Sequence, residues 1–121
     1  MFAKLHAARA FARRNLPFVE TLEDFDLLLE IGVHQQRGTP LTMKKLYLLD
    51  LASVATIQRR LRRLKRRGAV IQRKSPRDRR VLELEVSSKV VKALNGYAEF
   101  VFKSPGPPDE LLAPLKRQAR R

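Results

Sequence analysis

Residues 53–68 decide the fold and read SVATIQRRLRRLKRRG. Ser53 is a residue type that caps helix N-termini and Gly68 one that follows helix C-termini, so this stretch predicts a helix over 54–67. Its apolar residues recur every three or four positions, which predicts that they share one stripe and pack inward. The stripe consists of Val54, Ile57, Leu61 and Leu64. The opposite face begins with small and polar residues and then becomes densely cationic.

The positive charge of the chain is concentrated in and after this helix. The 121 residues carry 26 Lys and Arg against 12 Asp and Glu, a formal net charge of +14. Residues 53–80 hold twelve of the basic residues and one acid, Asp78, which leaves 14 basic and 11 acidic residues elsewhere. Like charges three and four positions apart on a helix repel each other, and the helix contains no acid. A phosphate backbone is the simplest compensation, ahead of an anionic membrane surface.

A shorter helix is predicted just upstream. Thr42 is its expected N-cap, and the helix should run from Met43 to about Asp50. Only residues 50–52 then join it to the cap of the cationic helix. Two short helices with so short a connection are typical of a helix-turn-helix.

A longer helix is predicted before this pair. Thr21 and Asp24 resemble a capping box with Asp in place of Glu, and the helix should extend to about Gln36, with Gly38 as the residue that follows its end. Its expected apolar stripe is Phe25, Leu28, Leu29 and Ile31.

The apolar period changes to two after Gly68. Short strands are predicted over 69–73 and 81–86, the second with Leu82, Leu84 and Val86 on one face. Residues 74–80 between them read KSPRDRR, a turn with Pro and Asp. A basic hairpin after a helix-turn-helix is a wing, so we expect a mainly α fold with a small two- to three-stranded antiparallel wing.

Helices are also predicted on both sides of this winged region. Residues 2–14 and 89–102 each carry an apolar stripe, and Ser87 or Ser88 is the expected cap of the second helix. A domain this small need not cover both stripes, which predicts a homodimer with twofold symmetry. The expected dimer contacts are Phe2, Leu5, Phe11, Val101 and Phe102.

The chain is therefore expected to have three parts. The first is an N-terminal dimerisation helix over 1–20, and the second is the winged helix-turn-helix domain with its following helix over 21–103. The third, over 104–121, is a Pro-rich linker with a basic tail.

The stretch from Leu41 to Leu94 resembles the winged helix-turn-helix of MarR-type transcription regulators. Thr42 and Ser53 stand at the two cap positions, and residues 64–68, LKRRG, match the end of the recognition helix. Residues 78–80 match the D-R-R of the wing. The sequence departs from the family at Tyr47, where Ala is usual, and after the second strand, where a Gly is missing.

This resemblance implies roles for the wing and the terminal helices. Asp78 would brace an arginine, Arg77 or Arg79 would enter the minor groove, and the terminal helices would form a dimer. MarR-type proteins often bind small aromatic effectors between the dimerisation helices and the winged domain. No polar constellation in this sequence marks such a pocket.

Three sets of DNA contacts are expected. Arg59 is the best candidate for reading guanine, because its planar guanidinium can bond O6 and N7 together. The residues expected at bases or sugars are Ser53, Ala55, Thr56 and Arg59. Those expected at phosphates are Thr42, Arg60, Arg62, Arg63, Arg66 and Arg67. Those expected in the wing are Arg77, Asp78, Arg79 and Arg80.

Other classes of protein find little support in the sequence. There is no Cys, no phosphate-binding glycine loop and no apolar run near the ~18–20 residues that span a bilayer. His6 and His34 are far apart, and the acids from Glu20 to Glu30 suit the start of a helix. We therefore expect no enzyme activity, no metal and no cofactor.

The sequence thus predicts a sequence-specific double-stranded DNA-binding transcription regulator. We expect a cytoplasmic, nucleoid-associated homodimer that represses transcription from a palindromic site. One alternative is another nucleic-acid-binding role, such as a replication initiator, an architectural protein or an RNA binder. A second is a basic membrane-surface or interaction protein. Specific binding to a palindromic duplex distinguishes a transcription regulator from the first alternative. Liposome binding without DNA binding favours the second alternative.

Overall fold

Five helices and two strands follow one another along residues 1–103, the part of the chain that this computed structural model describes. They are α1 (Phe2–Asn15), α2 (Leu22–Gln36), α3 (Met43–Leu48), α4 (Val54–Arg66), β1 (Val70–Lys74), β2 (Leu82–Val86) and α5 (Ser88–Lys103). The strands form a two-stranded antiparallel sheet in which Val70 lies opposite Val86 and Lys74 opposite Leu82. This arrangement confirms the expected fold class. The linker and tail predicted over 104–121 lie outside the described residues.

The chain divides into two compact units. Phe18–Val91 forms the winged unit, with the helix-turn-helix, the two strands and the start of α5. Within the described residues, the other unit consists of Met1–Pro17 and residues 92–103, so it contains α1 and most of α5.

Side chains cap the three helices of the winged unit as the sequence predicts. At α2, Thr21 Oγ1 accepts from the Asp24 N–H at 3.1 Å, and Asp24 Oδ2 accepts from the Thr21 N–H at 3.2 Å, which completes the capping box. Thr42 caps α3, and Ser53 caps α4. These bonds satisfy N–H groups that a helix start leaves without a partner.

The other predicted ends have mixed outcomes. Gly38 and Gly68 both have positive φ, 77° and 70°, as expected of residues that follow a helix. The predicted side-chain cap of α5 is wrong. Ser88 is already helical, and the buried Ser87 hydroxyl has no hydrogen-bond partner within residues 1–103. The Ser87 carbonyl instead accepts the Val91 N–H at 3.1 Å.

The core of the winged unit lies between α2, α3, α4 and the sheet. It contains Leu27, Leu28, Ile31, Leu46, Ile57, Leu61, Leu64, Leu84, Val86 and Val90. Two predicted core residues are instead exposed: Leu29 at 48% and Val54 at 51%. Leu29 lies about 100° around α2 from Leu28, and Val54 stands at the first residue of α4, where the helix begins outside the core.

The outer edge of β2 is hydrogen-bonded to the helical part of the winged unit. The Leu84 N–H donates to the Leu41 carbonyl at 2.8 Å. The Val86 N–H donates to Gln35 Oε1, also at 2.8 Å. These bonds satisfy backbone N–H groups at an otherwise open sheet edge. They also hold the wing against α2 and the segment that leads into α3.

Aromatic packing organises the other unit. The Phe11 ring stacks on Phe100 with centroids 4.4 Å apart, and Tyr97 lies 6.3 Å from Phe11. Phe11, expected at a dimer contact, thus packs within its own chain. Phe2 and Phe102 are exposed, at 87% and 57%. Among residues 1–103, no helix has the length and apolar character needed to cross a membrane.

Candidate nucleic-acid interface

A tight turn joins α3 to α4 and completes the helix-turn-helix. Asp50 adopts φ 55°, a left-handed conformation that Asp tolerates better than most residues. Leu46 of α3 and Leu61 of α4 are buried beneath the pair. Tyr47, the departure from the MarR pattern, lines a cleft of about 330 Å³ between the two helices. The Tyr side chain is therefore accommodated at the surface of this pair.

The first turn of α4 presents small polar groups. Ser53 Oγ accepts the Thr56 N–H at 3.2 Å and donates to Thr56 Oγ1 at 2.9 Å. Thr56 therefore keeps its own O–H as an outward donor. Ser53 and Ala55 are exposed, and Thr56 is half-buried. These three residues form a low surface over which a base edge has room to approach.

Three arginines of α4 share one exposed face. Arg59, Arg62 and Arg66 have no hydrogen-bond or ion-pair partner within the described residues, and all three are exposed. At 100° per residue they lie within about 60° of one another, and Arg59 and Arg66 are about 10 Å apart along the axis. This face matches the one that the sequence predicts.

Arg60 and Arg63 occupy a different side of α4, against the start of α2. Their side chains are 14% and 15% exposed. Arg60 donates from Nε to Asp24 Oδ1 at 2.8 Å and from Nη2 to Asp24 Oδ2 at 2.7 Å. Arg63 Nη1 donates to the Phe18 carbonyl at 2.7 Å, and its Nε lies 2.6 Å from Glu20 Oε1. The expectation that both residues meet phosphates does not fit this geometry, because their guanidinium groups are already paired.

Asp24 is the centre of this network. Its side chain is fully buried, and it also accepts the Glu20 N–H at 2.9 Å. Burial raises the pKa of Asp24. Hydrogen bonds from Arg60 and from two backbone N–H groups together lower this pKa by more than burial raises it, so the pKa lies below its ordinary value. The hydrogen bond with Asp24 likewise raises the pKa of Arg60. Both groups are therefore charged at neutral pH.

The remaining predicted phosphate contacts lie at the ends of the two helices. Thr42 Oγ1 accepts the Lys45 N–H at 3.2 Å, which leaves the Thr42 hydroxyl able to donate. Arg67 follows α4 as its C-cap, and its carbonyl accepts from Lys89 Nζ at 2.8 Å. Arg67 is an exposed residue.

The wing is a compact loop with arginines at its surface. Ser75 is buried, and its hydroxyl accepts the Arg77 N–H at 3.2 Å. Asp78 accepts from Arg80 Nε at 3.1 Å and from Arg80 Nη2 at 3.2 Å, and this hydrogen bonding lowers the pKa of Asp78. The arginine that Asp78 braces is thus Arg80, while Arg77 and Arg79 are exposed.

No three His, Asp or Glu side chains come together to hold a metal ion within residues 1–103. Comparisons with protein-family models and with curated proteins find no match.

Solved structures with similar folds do exist. A crystal structure of a MepR–DNA complex from S. aureus superposes with a TM-score of 0.67 at 20% identity, over 95% of this chain and 82% of that chain. A crystal structure of MarR gives a TM-score of 0.55 at 23% identity, over 98% and 88%. A MepR variant from S. aureus bound to an oligodeoxyribonucleotide gives 0.66 at 18% identity, over 98% and 89%. The chain therefore has the winged helix-turn-helix fold of MarR-type regulators.

Proposed function

We propose that the protein is a sequence-specific double-stranded DNA-binding transcription regulator. The observation that carries this proposal is the exposed face of α4, where three unpaired arginines follow a first turn of small residues. Three cations without acidic partners on one helix face repel each other and are best stabilised by a polyanion. The major groove of DNA is wide enough to admit such a helix.

In this proposal the two ends of the α4 face have different roles. Ala55, Thr56 and Arg59 lie in the N-terminal turns, which a recognition helix points at base edges. The fork of Arg59 suits O6 and N7 of a guanine. Arg62 and Arg66 reach the phosphates that flank the groove. Arg67 and Thr42 add phosphate contacts at the ends of the helix pair.

The wing supplies a second contact in the proposed complex. Its loop exposes Arg77 and Arg79, while Asp78 accepts hydrogen bonds from Arg80. Arginine inserted into a narrow minor groove meets enhanced negative potential. We therefore assign Arg77 or Arg79 to the minor groove beside the half-site.

The proposed assembly is a homodimer on a palindromic site. Phe2, Leu5 and Phe102 are exposed apolar residues of the unit that contains α1. A twofold dimer through this unit would present two copies of α4 to two half-sites about one helical turn apart. A dimer bound within a promoter would exclude polymerase from that DNA, and on this ground we infer repression. The MepR structures with DNA and with an oligodeoxyribonucleotide support DNA binding by this fold.

The test is a fluorescence-anisotropy titration of the full chain against labelled duplex DNA from about 50 to 200 mM salt. We expect binding that weakens steeply with salt and resists competition by duplex RNA. Equal competition by duplex RNA would favour an RNA-binding or architectural role. Binding to anionic phosphatidylserine vesicles but not to DNA would place the protein at a membrane surface and overturn the proposal.

A further inference from the structure

We infer that Glu20 and Asp24 determine which cations of α4 meet DNA. The inference rests on the DNA-binding function proposed above. These two acids hold Arg60 and Arg63 against the start of α2. The cationic contact face of α4 is therefore formed by Arg59, Arg62 and Arg66. Glu20 and Asp24 are positioning residues and do not themselves touch DNA.

The first step is the fixed position of Asp24. Its carboxylate accepts from the backbone N–H groups of Glu20 and Thr21 at 2.9 and 3.2 Å, so the start of α2 locks its orientation. Both oxygens then accept from Arg60. A bidentate pair of this kind fixes both distance and direction. Asp24 therefore holds Arg60, near the middle of α4, in one geometry.

The second step is the capture of Arg63. On a helical wheel Arg63 lies only about 40° from Arg59, so a released side chain would reach the exposed face. Glu20 Oε1 and the Phe18 carbonyl instead hold its guanidinium group from two sides, at 2.6 and 2.7 Å. The Arg63 side chain is thereby turned away from the cationic face.

The capture of both arginines affects how strongly α4 binds any duplex. Each phosphate that a protein neutralises adds roughly −0.9 to the slope of log K against log[salt], and this contribution is the same for every DNA sequence. Two fewer phosphate contacts from α4 therefore lower the affinity for specific and random duplexes by the same factor and leave base readout by Arg59 unchanged. The acid pair thus sets the overall affinity and its salt dependence, while the ratio of specific to non-specific binding is left to the base contacts.

The first test compares two substitutions three positions apart on one helix. Arg63→Gln and Arg66→Gln each remove one cation, and the salt slope on a random duplex is measured for both. We expect Arg66→Gln to make the slope less negative by about 0.9 and Arg63→Gln to leave it unchanged. Equal changes in the two variants would overturn the inference.

The second test releases the captured arginines. Glu20→Gln with Asp24→Asn removes the acid pair, and Glu23→Gln with Asp26→Asn removes two exposed acids of the same helix start. The net charge changes equally, and the Asn amide oxygen can still accept the backbone N–H groups. We expect only the first double variant to steepen the slope, by about 1–2, and to bind specific and random duplexes more tightly by the same factor.

The outcomes separate the two proposals. A wild-type chain that binds no duplex defeats the proposed function and this inference together. A wild-type chain that binds while both double variants share one slope overturns the inference alone. Circular dichroism establishes that each variant is folded. If the Glu20 and Asp24 variant unfolds, the comparison of Arg63→Gln with Arg66→Gln decides by itself.

Discussion

Arg60 donates two hydrogen bonds to Asp24, Nε to Oδ1 at 2.8 Å and Nη2 to Oδ2 at 2.7 Å, and so joins the middle of α4 to the first turn of α2. The Asp24 side chain is fully buried, and that of Arg60 nearly so. One carboxylate thus caps α2 and fixes α4.

Asp24→Ala should destabilise the protein strongly. Removing one partner of a buried ion pair leaves the other charge unpaired, at a cost of about 3–5 kcal/mol in the free energy of unfolding. Asp26→Ala, at an exposed acid of the same helix, should change it by less than about 0.5 kcal/mol. Urea denaturation measures both. Equal effects would mean that the Asp24 pair contributes nothing to stability.

The contribution of Asp24 should depend on pH. The pKa of the folded carboxyl lies below the ordinary 3.8, so the stability gained from its ionised form is present above about pH 4 and is lost as the pH falls through the folded pKa. The charged groups facing it are Arg60, Arg63 and Glu20. The stability difference between wild type and Asp24→Asn, measured by urea unfolding over a range of pH values below about 4, should shrink as the pH falls. A difference that stays constant over this range would contradict the assignment.

Arg59 and Arg66 should separate specificity from affinity. Arg59→Ala should cost about 1–3 kcal/mol on the preferred site and little on random DNA, because it removes a base contact. Arg66→Ala should weaken binding to both DNAs alike, because it removes a phosphate contact. Anisotropy titrations on the two duplexes measure this. Identical losses on both duplexes for both variants would show that α4 is oriented differently on the DNA.

Asp78→Asn tests the bracing role of Asp78 in the wing, because bracing and charge change the affinity for DNA in opposite directions. The substitution adds one positive charge, which alone would strengthen binding to DNA. Loss of the brace on Arg80 should nevertheless weaken specific binding, because the hydrogen bonds that orient Arg80 are lost. Glu83→Gln adds the same charge in the same hairpin without touching the brace, and it should strengthen binding slightly. Tighter binding by both variants would rule out a bracing role for Asp78.

Phe2→Asp combined with Phe102→Asp should disrupt the dimer. Sedimentation equilibrium of the wild type should give twice the chain mass of 14.0 kDa at micromolar concentration. The double variant should sediment as a monomer, because a charge replaces apolar contact area at two exposed positions. Leu22→Asp, at an apolar residue of the winged unit that is 73% exposed, is the control and should remain dimeric. A monomeric wild type would contradict the proposed assembly.

Local signals in the sequence predict much of this fold. The caps at Thr21, Thr42 and Ser53 and the glycines at 38 and 68 each act within four residues, so their chemistry can be read without tertiary structure. The change of period after Gly68 likewise predicts the two strands.

The pairing of Arg60 and Arg63 is beyond such local signals. Their acidic partners lie 36 to 43 positions earlier in the chain, and only the packing of α2 on α4 brings them together. One signal was available. Arg60 lies about 80° from the centre of the apolar stripe on a helical wheel, which places it at the edge of a packed face and not on the exposed one. The prediction that Val54 is a core residue is wrong for a related reason. A helical wheel shows which face of a helix is apolar, but it does not show where along the helix axis the core ends.

Selection of bound duplexes from a random pool tests the central claim, sequence-specific recognition by a pair of α4 helices, most directly. We expect one enriched motif with twofold symmetry, whose half-sites are centred about 10 base pairs apart or a multiple of that distance. Arg59→Ala should lose preference at one position in each half-site. A pool that yields no motif, or an asymmetric motif that Arg59→Ala leaves unchanged, would contradict it.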